Sequence, residues 1–259
     1  MTVPPAVRLR GVRKEFDGGR VVALDGVSLD VAQGELLVLI GLSGSGKSTL
    51  LRHLNGLVRP TAGTAEVLGV DLAGAGGQRL RRLRRDVGFI FQQFNLVGRL
   101  TCIENVLSGA LGRLWGPRYG PASYAKALRR EALDHLDRVE LGAQAWQRAD
   151  TLSGGQQQRA AIARTLMQRP RLVLADEPVA SLDPQTSEQV MDLLFTVCAE
   201  EGLTVVCSLH QLDLALGYAH RIVGLRKGRQ VLDENAKGLT SAQAMAVYQR
   251  ATAEQAVGV

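Results

Sequence analysis

Cysteine is scarce in this chain. The three present, Cys102, Cys198 and Cys207, are widely spaced, form no C-x-x-C pair and have apolar neighbours. That pattern supplies neither a disulfide framework nor a zinc site and reads as buried thiols. Aromatic residues make up only 4%. None of them interrupts the basic run of Arg79, Arg81, Arg82, Arg84 and Arg85, which carries much of the net charge of +6. Without rings on which bases can stack, that run reads as a solvated helix face, and direct nucleic-acid binding is not expected. No apolar run approaches the ~20 residues of a membrane span, and Met1-Thr2-Val3-Pro4-Pro5 does not open a signal peptide. The expectation is a cytosolic protein that meets a membrane only through a partner. Repeats and low-complexity tracts are also absent.

What is present is a large apolar share, 46% of 259 residues, enough for one sizeable core with a subdomain. The chain is organised around Gly41-Leu42-Ser43-Gly44-Ser45-Gly46-Lys47-Ser48-Thr49, directly behind Leu36-Leu37-Val38-Leu39-Ile40. The apolar run predicts a buried strand, and the spacing of Leu50, Leu54 and Leu57 predicts a helix face. A G-x-x-x-x-G-K-S loop joining strand to helix is a phosphate cradle: glycines let backbone N–H groups turn inward, and the helix N-terminus adds partial positive charge. Lys47 then reaches the β- and γ-phosphates and the Ser48 hydroxyl binds Mg²⁺. A plain surface turn would need neither the Lys-Ser pair nor the flanking elements.

In chain order, residues 7–16 and 21–31 predict antiparallel strands around an Asp17-Gly18-Gly19 turn, with Phe16 at the end of the first. A short strand is expected near 64–68, a small-residue loop over 70–77, and a buried strand over 87–91 running into Gln92. From about 95 to 165 the pattern turns helical, broken at 112–121 where Gly, Pro, Trp115 and Tyr119 cluster. This block reads as an inserted helical subdomain. Leu152-Ser153-Gly154-Gly155-Gln156 then opens a helix, either as an ordinary serine cap or as a second anion site. Leu172-Val173-Leu174-Ala175 is a buried strand ending in Asp176 and Glu177, which can place one carboxylate near Mg²⁺ and the next near an attacking water. A helix follows Ser181-Leu182-Asp183-Pro184, and a strand over 203–208 delivers His210 to the edge where parallel sheets bind ligands. A strand near 222–225, a turn at Lys227-Gly228 and a helix after Thr240 close the chain.

Taken together, these stretches resemble the ATP-binding subunit of an ABC transporter over nearly the whole chain. Residues 41–49 look like the Walker A loop, Gln92 the Q-loop, 152–156 the signature, 172–177 the Walker B strand, 181–183 the D-loop and His210 the switch histidine. The resemblance implies an α/β fold: a P-loop NTPase core (1–94 and 166–235) with an antiparallel β-subdomain, a helical subdomain (about 95–165) and a helical tail (236–259). It further implies that Lys47 and the loop amides neutralise the phosphates of ATP, and that Ser48, Gln92 and, through water, Asp176 hold Mg²⁺. Glu177 is then the general base, His210 contacts the γ-phosphate, and Phe16 stacks on adenine. Ser153, Gly154 and Gly155 are implied to close on the ATP of a second copy in a head-to-tail homodimer, and Gln156 and Asp183 are implied to be nucleotide-binding residues as well.

A single bare cassette resembles a bacterial importer subunit, peripheral on the cytoplasmic face of the membrane, with separate permease chains and a substrate-binding protein as partners. The neighbourhoods of residues 176–184, Ser208-Leu209-His210-Gln211 and Asn105-Val106-Leu107-Ser108-Gly109 look most similar to phosphonate-import ATPases. Importers of phosphate, phosphite or polar amino acids are the alternatives, and a soluble ATPase acting on nucleic acid or ribosomes is a different class.

Overall fold

The computed structural model describes residues 4–116 and 119–243. Two sheets organise it. Strands β1 (Val7–Phe16), β2 (Val21–Val31), β4 (Ala62–Val67) and β5 (Val70–Asp71) form an antiparallel sheet in the order β2-β1-β4-β5. The second sheet has the order β10-β9-β3-β8-β7-β6 and contains β3 (Leu36–Ile40), β6 (Val87–Ile90), β7 (Leu172–Asp176), β8 (Thr204–Leu209), β9 (Arg221–Arg226) and β10 (Arg229–Asn235). Within it β6, β7, β8, β3 and β9 run parallel, and β10 returns antiparallel to β9.

The central strands read as continuous apolar runs because both of their faces are covered, and successive side chains go to opposite cores. From β3, Leu37 and Leu39 enter a core shared with the antiparallel sheet, α1 (Lys47–Leu54) and α2 (Gly77–Asp86). Val38 and Ile40 enter a second core shared with α3 (Cys102–Ser108), α4 (Lys126–Arg138), α5 (Gly154–Met167) and α6 (Pro184–Glu200). The helical block therefore packs into the face of the parallel sheet. The boundary expected at 165/166 falls inside α5, which continues to Met167.

The stretch expected as a loop over 70–77 holds β5 and the start of α2, whose Leu80 and Leu83 are buried under the arginines. Two elements were not anticipated: α7 (Leu212–Tyr218) and β10. The expected helix after Thr240 lies largely outside the described residues. All three thiols are free and buried. Burial pushes Cys102 up to about 11 and Cys198 up to about 12, and it raises Cys207 as well.

The helical block is seated by a close approach at Gly109, the C-cap of α3, where a Cβ would lie 2.1 Å from the Arg164 carbonyl oxygen of α5. Gly109→Ala must push α3 off α5, and it is expected to lower the unfolding free energy by about 2 kcal/mol in urea denaturation.

Candidate active site

The carboxyl ends of the parallel strands share one edge, which is where such sheets hold ligands. From β3 the chain turns into α1 through a loop in which Gly44 and Gly46 adopt φ of 75° and 109°. Gly46 also needs its lack of a side chain, since a Cβ there would sit 2.6 Å from the Ala23 carbonyl oxygen of β2. No side chain caps α1, so its first N–H groups are open to an anion. Behind the loop, Gly228 donates its N–H to Ser45 O at 2.9 Å, so the β9–β10 turn braces it. Ser45 Oγ is buried with no hydrogen-bond partner among the described residues, an orphaned group of the kind a bound anion satisfies.

Lys47, the first residue of α1, is only 4% exposed. Its Nζ donates to Gly41 O at 2.7 Å and to Leu42 O at 3.4 Å, and Glu177 Oε1 lies 3.6 Å away. Burial pushes the ammonium below its ordinary range, with Glu177 opposing that shift. The charged form is therefore held at a cost that an incoming anion would offset. Glu177 Oε1 is also 2.7 Å from His210 Nε2, so this carboxylate stands between an ammonium and an imidazole.

Beneath them, Ser48 Oγ donates to Asp176 Oδ1 at 2.9 Å. Because that hydroxyl spends its hydrogen on Asp176, its lone pairs remain for a cation. The oxygen donors Ser48, Asp176 and Gln92 are a hard set. No group of three or more His, Cys, Asp or Glu is placed to hold a metal ion among the described residues, so a hard divalent cation here would complete its shell with water or phosphate oxygens.

These groups face a cleft of about 560 Å³. Phe16, Val21, Val22 and Ala23 make an apolar wall, residues 43–49 the floor, and Gln92, Glu177 and His210 the far side. Phe16 is 38% exposed, and Lys14 Nζ lies 5.0 Å from its ring centroid. A flat ring beside an anion cradle, with a carboxylate–imidazole pair at the far end, has the shape and charge to hold a nucleotide polyphosphate and activate water on it.

Phe16, Ser43, Gly44, Ser45, Gly46, Lys47, Ser48, Thr49, Gln92, Glu177 and His210 thus converge as expected. Gly41 and Leu42 contribute the carbonyls that hold Lys47, and Asp176 is joined through Ser48. Ser153, Gly154, Gly155, Gln156 and Asp183 do not line this cleft. Ser153 caps α5 in a capping box with Gln156, and Asp183 Oδ1 accepts the Thr186 N–H at 3.0 Å to cap α6. A Cβ on Gly155 would lie 2.5 Å from Thr186 Cγ2, and one on Gly154 would lie 3.0 Å from Leu182 Cδ2. Both glycines therefore also let α5 seat against the start of α6. The sequence reading missed the wall from Val21 to Ala23, for which ordinary strand residues give no signal. It also missed Ser208, whose signal was a hydroxyl inside an otherwise apolar buried strand.

The family profile described as ABC transporter matches residues 24–180. The chain is 66% identical to the Phosphate-import ATP-binding protein PhnC of Mycolicibacterium smegmatis, over 93% of this chain and 91% of that protein. It is 62% identical to the Phosphonates import ATP-binding protein PhnC of Nocardia farcinica, over 93% of this chain and 89% of that protein. Among solved structures it is similar to a dimeric ATP-binding cassette in a post-hydrolysis state bound to ADP and Pi. That match has a TM-score of 0.78 at 37% identity and covers 90% of this chain and 100% of the other. With its parallel-sheet core, its glycine loop and these matches, the chain belongs to the ABC transporter family.

Proposed function

We propose that this chain is the ATP-hydrolysing motor subunit of a bacterial importer for phosphonates, working as a head-to-tail dimer on separate permease chains at the cytoplasmic face of the membrane. The observation that carries the hydrolytic reading is the position of Glu177 in the lining of the cleft, 3.6 Å from Lys47 Nζ and 2.7 Å from His210 Nε2. Adenine stacks on Phe16, and the phosphates take the loop amides, Ser45 Oγ and Lys47. Ser48 and Gln92 would hold Mg²⁺, with Asp176 acting through water, and the bound ion would supply charge neutralisation for the phosphates. Once phosphate oxygens face Lys47, Glu177 is no longer its counter-ion and is free to orient and deprotonate water. His210 keeps its hold on that carboxylate and reaches the γ-phosphate.

The shared-site reading is supported by the residues that stay out of the cleft. Ser153, Gly154 and Gly155 present a helix start away from their own phosphate loop, and they fit a polyphosphate held by another copy. The solved relative described above is itself a dimer.

Permease docking is supported by a groove of about 610 Å³ on the other side of the segment that carries Gln92. Phe89, Phe91, Leu111 and Leu114 supply apolar surface, and Arg81 and Arg85 supply positive charge. Arg164 of α5 donates to Phe94 O at 2.9 Å and also to Asn95 O, tying this segment to the helical block. Past the rim, Trp115 is 95% and Tyr119 is 82% exposed. Rings this exposed fit a partner surface better than a structural cover.

The substrate class rests on the relatives. The one at 62% identity is named for phosphonates, while the one at 66% is named for phosphate, which makes phosphate the second reading.

Glu177→Gln keeps shape and hydrogen bonding but removes the base. ATP binding should persist while steady-state turnover falls by about 10²-fold or more, and near-normal turnover would remove Glu177 from its role. For the dimer, Lys47→Ala and Gly154→Glu are placed in separate chains that both carry Glu177→Gln. Gly154 is preferred to Gly155 because the flexible end of Leu182 can move aside, whereas Thr186 crowds Gly155. Neither variant should dimerise on ATP alone, and mixing should restore part of the ATP-driven dimer on size-exclusion chromatography. No restoration by two folded variants counts against a shared site. For the substrate, deleting the gene should abolish growth on an alkylphosphonate as sole phosphorus source and spare growth on ample phosphate. The reverse pattern assigns phosphate.

A further inference from the structure

We propose that Ser208 is a positioning residue of the hydrolytic centre, using one hydroxyl to lock Asp176 and the Glu177 backbone into a single arrangement. The inference rests on the reading of Glu177 as the base. Ser208 lies on β8, is fully buried, and pairs in register with Asp176 on β7 and Leu39 on β3. Its Oγ donates to Asp176 Oδ1 at 2.9 Å and accepts the Glu177 N–H at 3.0 Å. A serine hydroxyl has one hydrogen to give, so a single side chain spans the cation-side carboxylate and the amide of the base.

The Glu177 backbone needs such a hold. Its φ is 49°, a left-handed conformation that glutamate rarely adopts and that persists only where its surroundings determine it. The Ser208 carbonyl accepts the same N–H at 3.2 Å, so the amide is gripped by one residue through two oxygens. Two positions further on, the same strand delivers His210 to Glu177 Oε1 at 2.7 Å. Asp176, the Glu177 amide and the Glu177 carboxylate are therefore all referenced to β8.

A small polar residue at a wholly buried central-strand position is costly unless its hydroxyl is used, and here both of its capacities are used. Ser48 donates to the same Asp176 oxygen from the opposite side at 2.9 Å. Ser208 thus supplies a second, nucleotide-independent hold on Asp176. Ser208 is also the first residue of the Ser208-Leu209-His210-Gln211 run, which the known roles otherwise account for only at His210.

The test compares wild type, Glu177→Gln, Ser208→Ala and Ser208→Thr as full chains. Ser208→Ala removes the oxygen without adding bulk, and Ser208→Thr keeps the hydroxyl. In Ser208→Ala, kcat for ATP should fall about tenfold while KM moves by less than about threefold. In the nucleotide-free protein, hydrogen exchange at the Glu177 amide should speed up by about tenfold. Ser208→Thr should bring back both kcat and amide protection. If Glu177→Gln is inactive but Ser208→Ala matches wild type in kcat and in Glu177 exchange, the proposal is overturned and the site reading stands. If kcat, KM and melting temperature of Ser208→Ala all deteriorate together and Ser208→Thr restores none of them, Ser208 merely fills the core and the proposal is likewise overturned. If Glu177→Gln hydrolyses ATP like wild type, the site reading fails, and the exchange measurement alone then decides whether Ser208 holds the Glu177 amide.

Discussion

An ammonium buried at the edge of a parallel sheet is the constraint on which this structure turns. Lys47 has two backbone carbonyls as hydrogen-bond acceptors, Glu177 as the carboxylate 3.6 Å from its charge, and Asp176 acting on it more weakly. A buried cation in that position needs an anion, and the surrounding architecture supplies either Glu177 or room for a phosphate. The glycine loop opens the room by bringing α1 close to β2, and the uncapped start of α1 adds unsatisfied N–H groups pointing the same way. Glu177 is the counter-ion in this structure, and on the proposed reading a phosphate would take over that duty and leave the same carboxylate to act on water.

The sheet that holds this edge is rigid for a reason visible along every central strand. Alternate side chains of β3, β7 and β8 are committed to opposite cores, so neither core can loosen without exposing apolar surface on the other face. Catalytic groups mounted at the ends of such strands inherit that rigidity.

Much of this was legible in the sequence where a largely apolar run ended in charge or polarity. Leu36–Ile40 before the glycine loop, Leu172–Asp176 and the strand before His210 each announced both the element and its functional end. β10 escaped notice because its sequence, RQVLDEN, alternates weakly, as an edge strand with one solvated face does. α7 is short and begins without a side-chain cap. Register was invisible altogether: nothing local to Ser208 or Asp176 says that they stand side by side, since that pairing is set by how two strands about thirty residues apart align. The Ser-Gly-Gly start of α5 was legible as a motif but ambiguous in meaning, and the structure gives its glycines a packing duty against Leu182 and Thr186 that the motif alone does not announce.

One short segment faces two cavities. Gln92 looks into the cleft beside Lys47, while Phe91 and Asn95 look into the groove beside the helical block. Where an occupant of the cleft and an occupant of the groove each favour one arrangement of this segment, thermodynamic linkage makes each alter the affinity of the other by the same factor. Under that linkage a substitution at Phe91 that weakens groove binding changes nucleotide affinity only while the groove is occupied, although Phe91 does not line the nucleotide cleft.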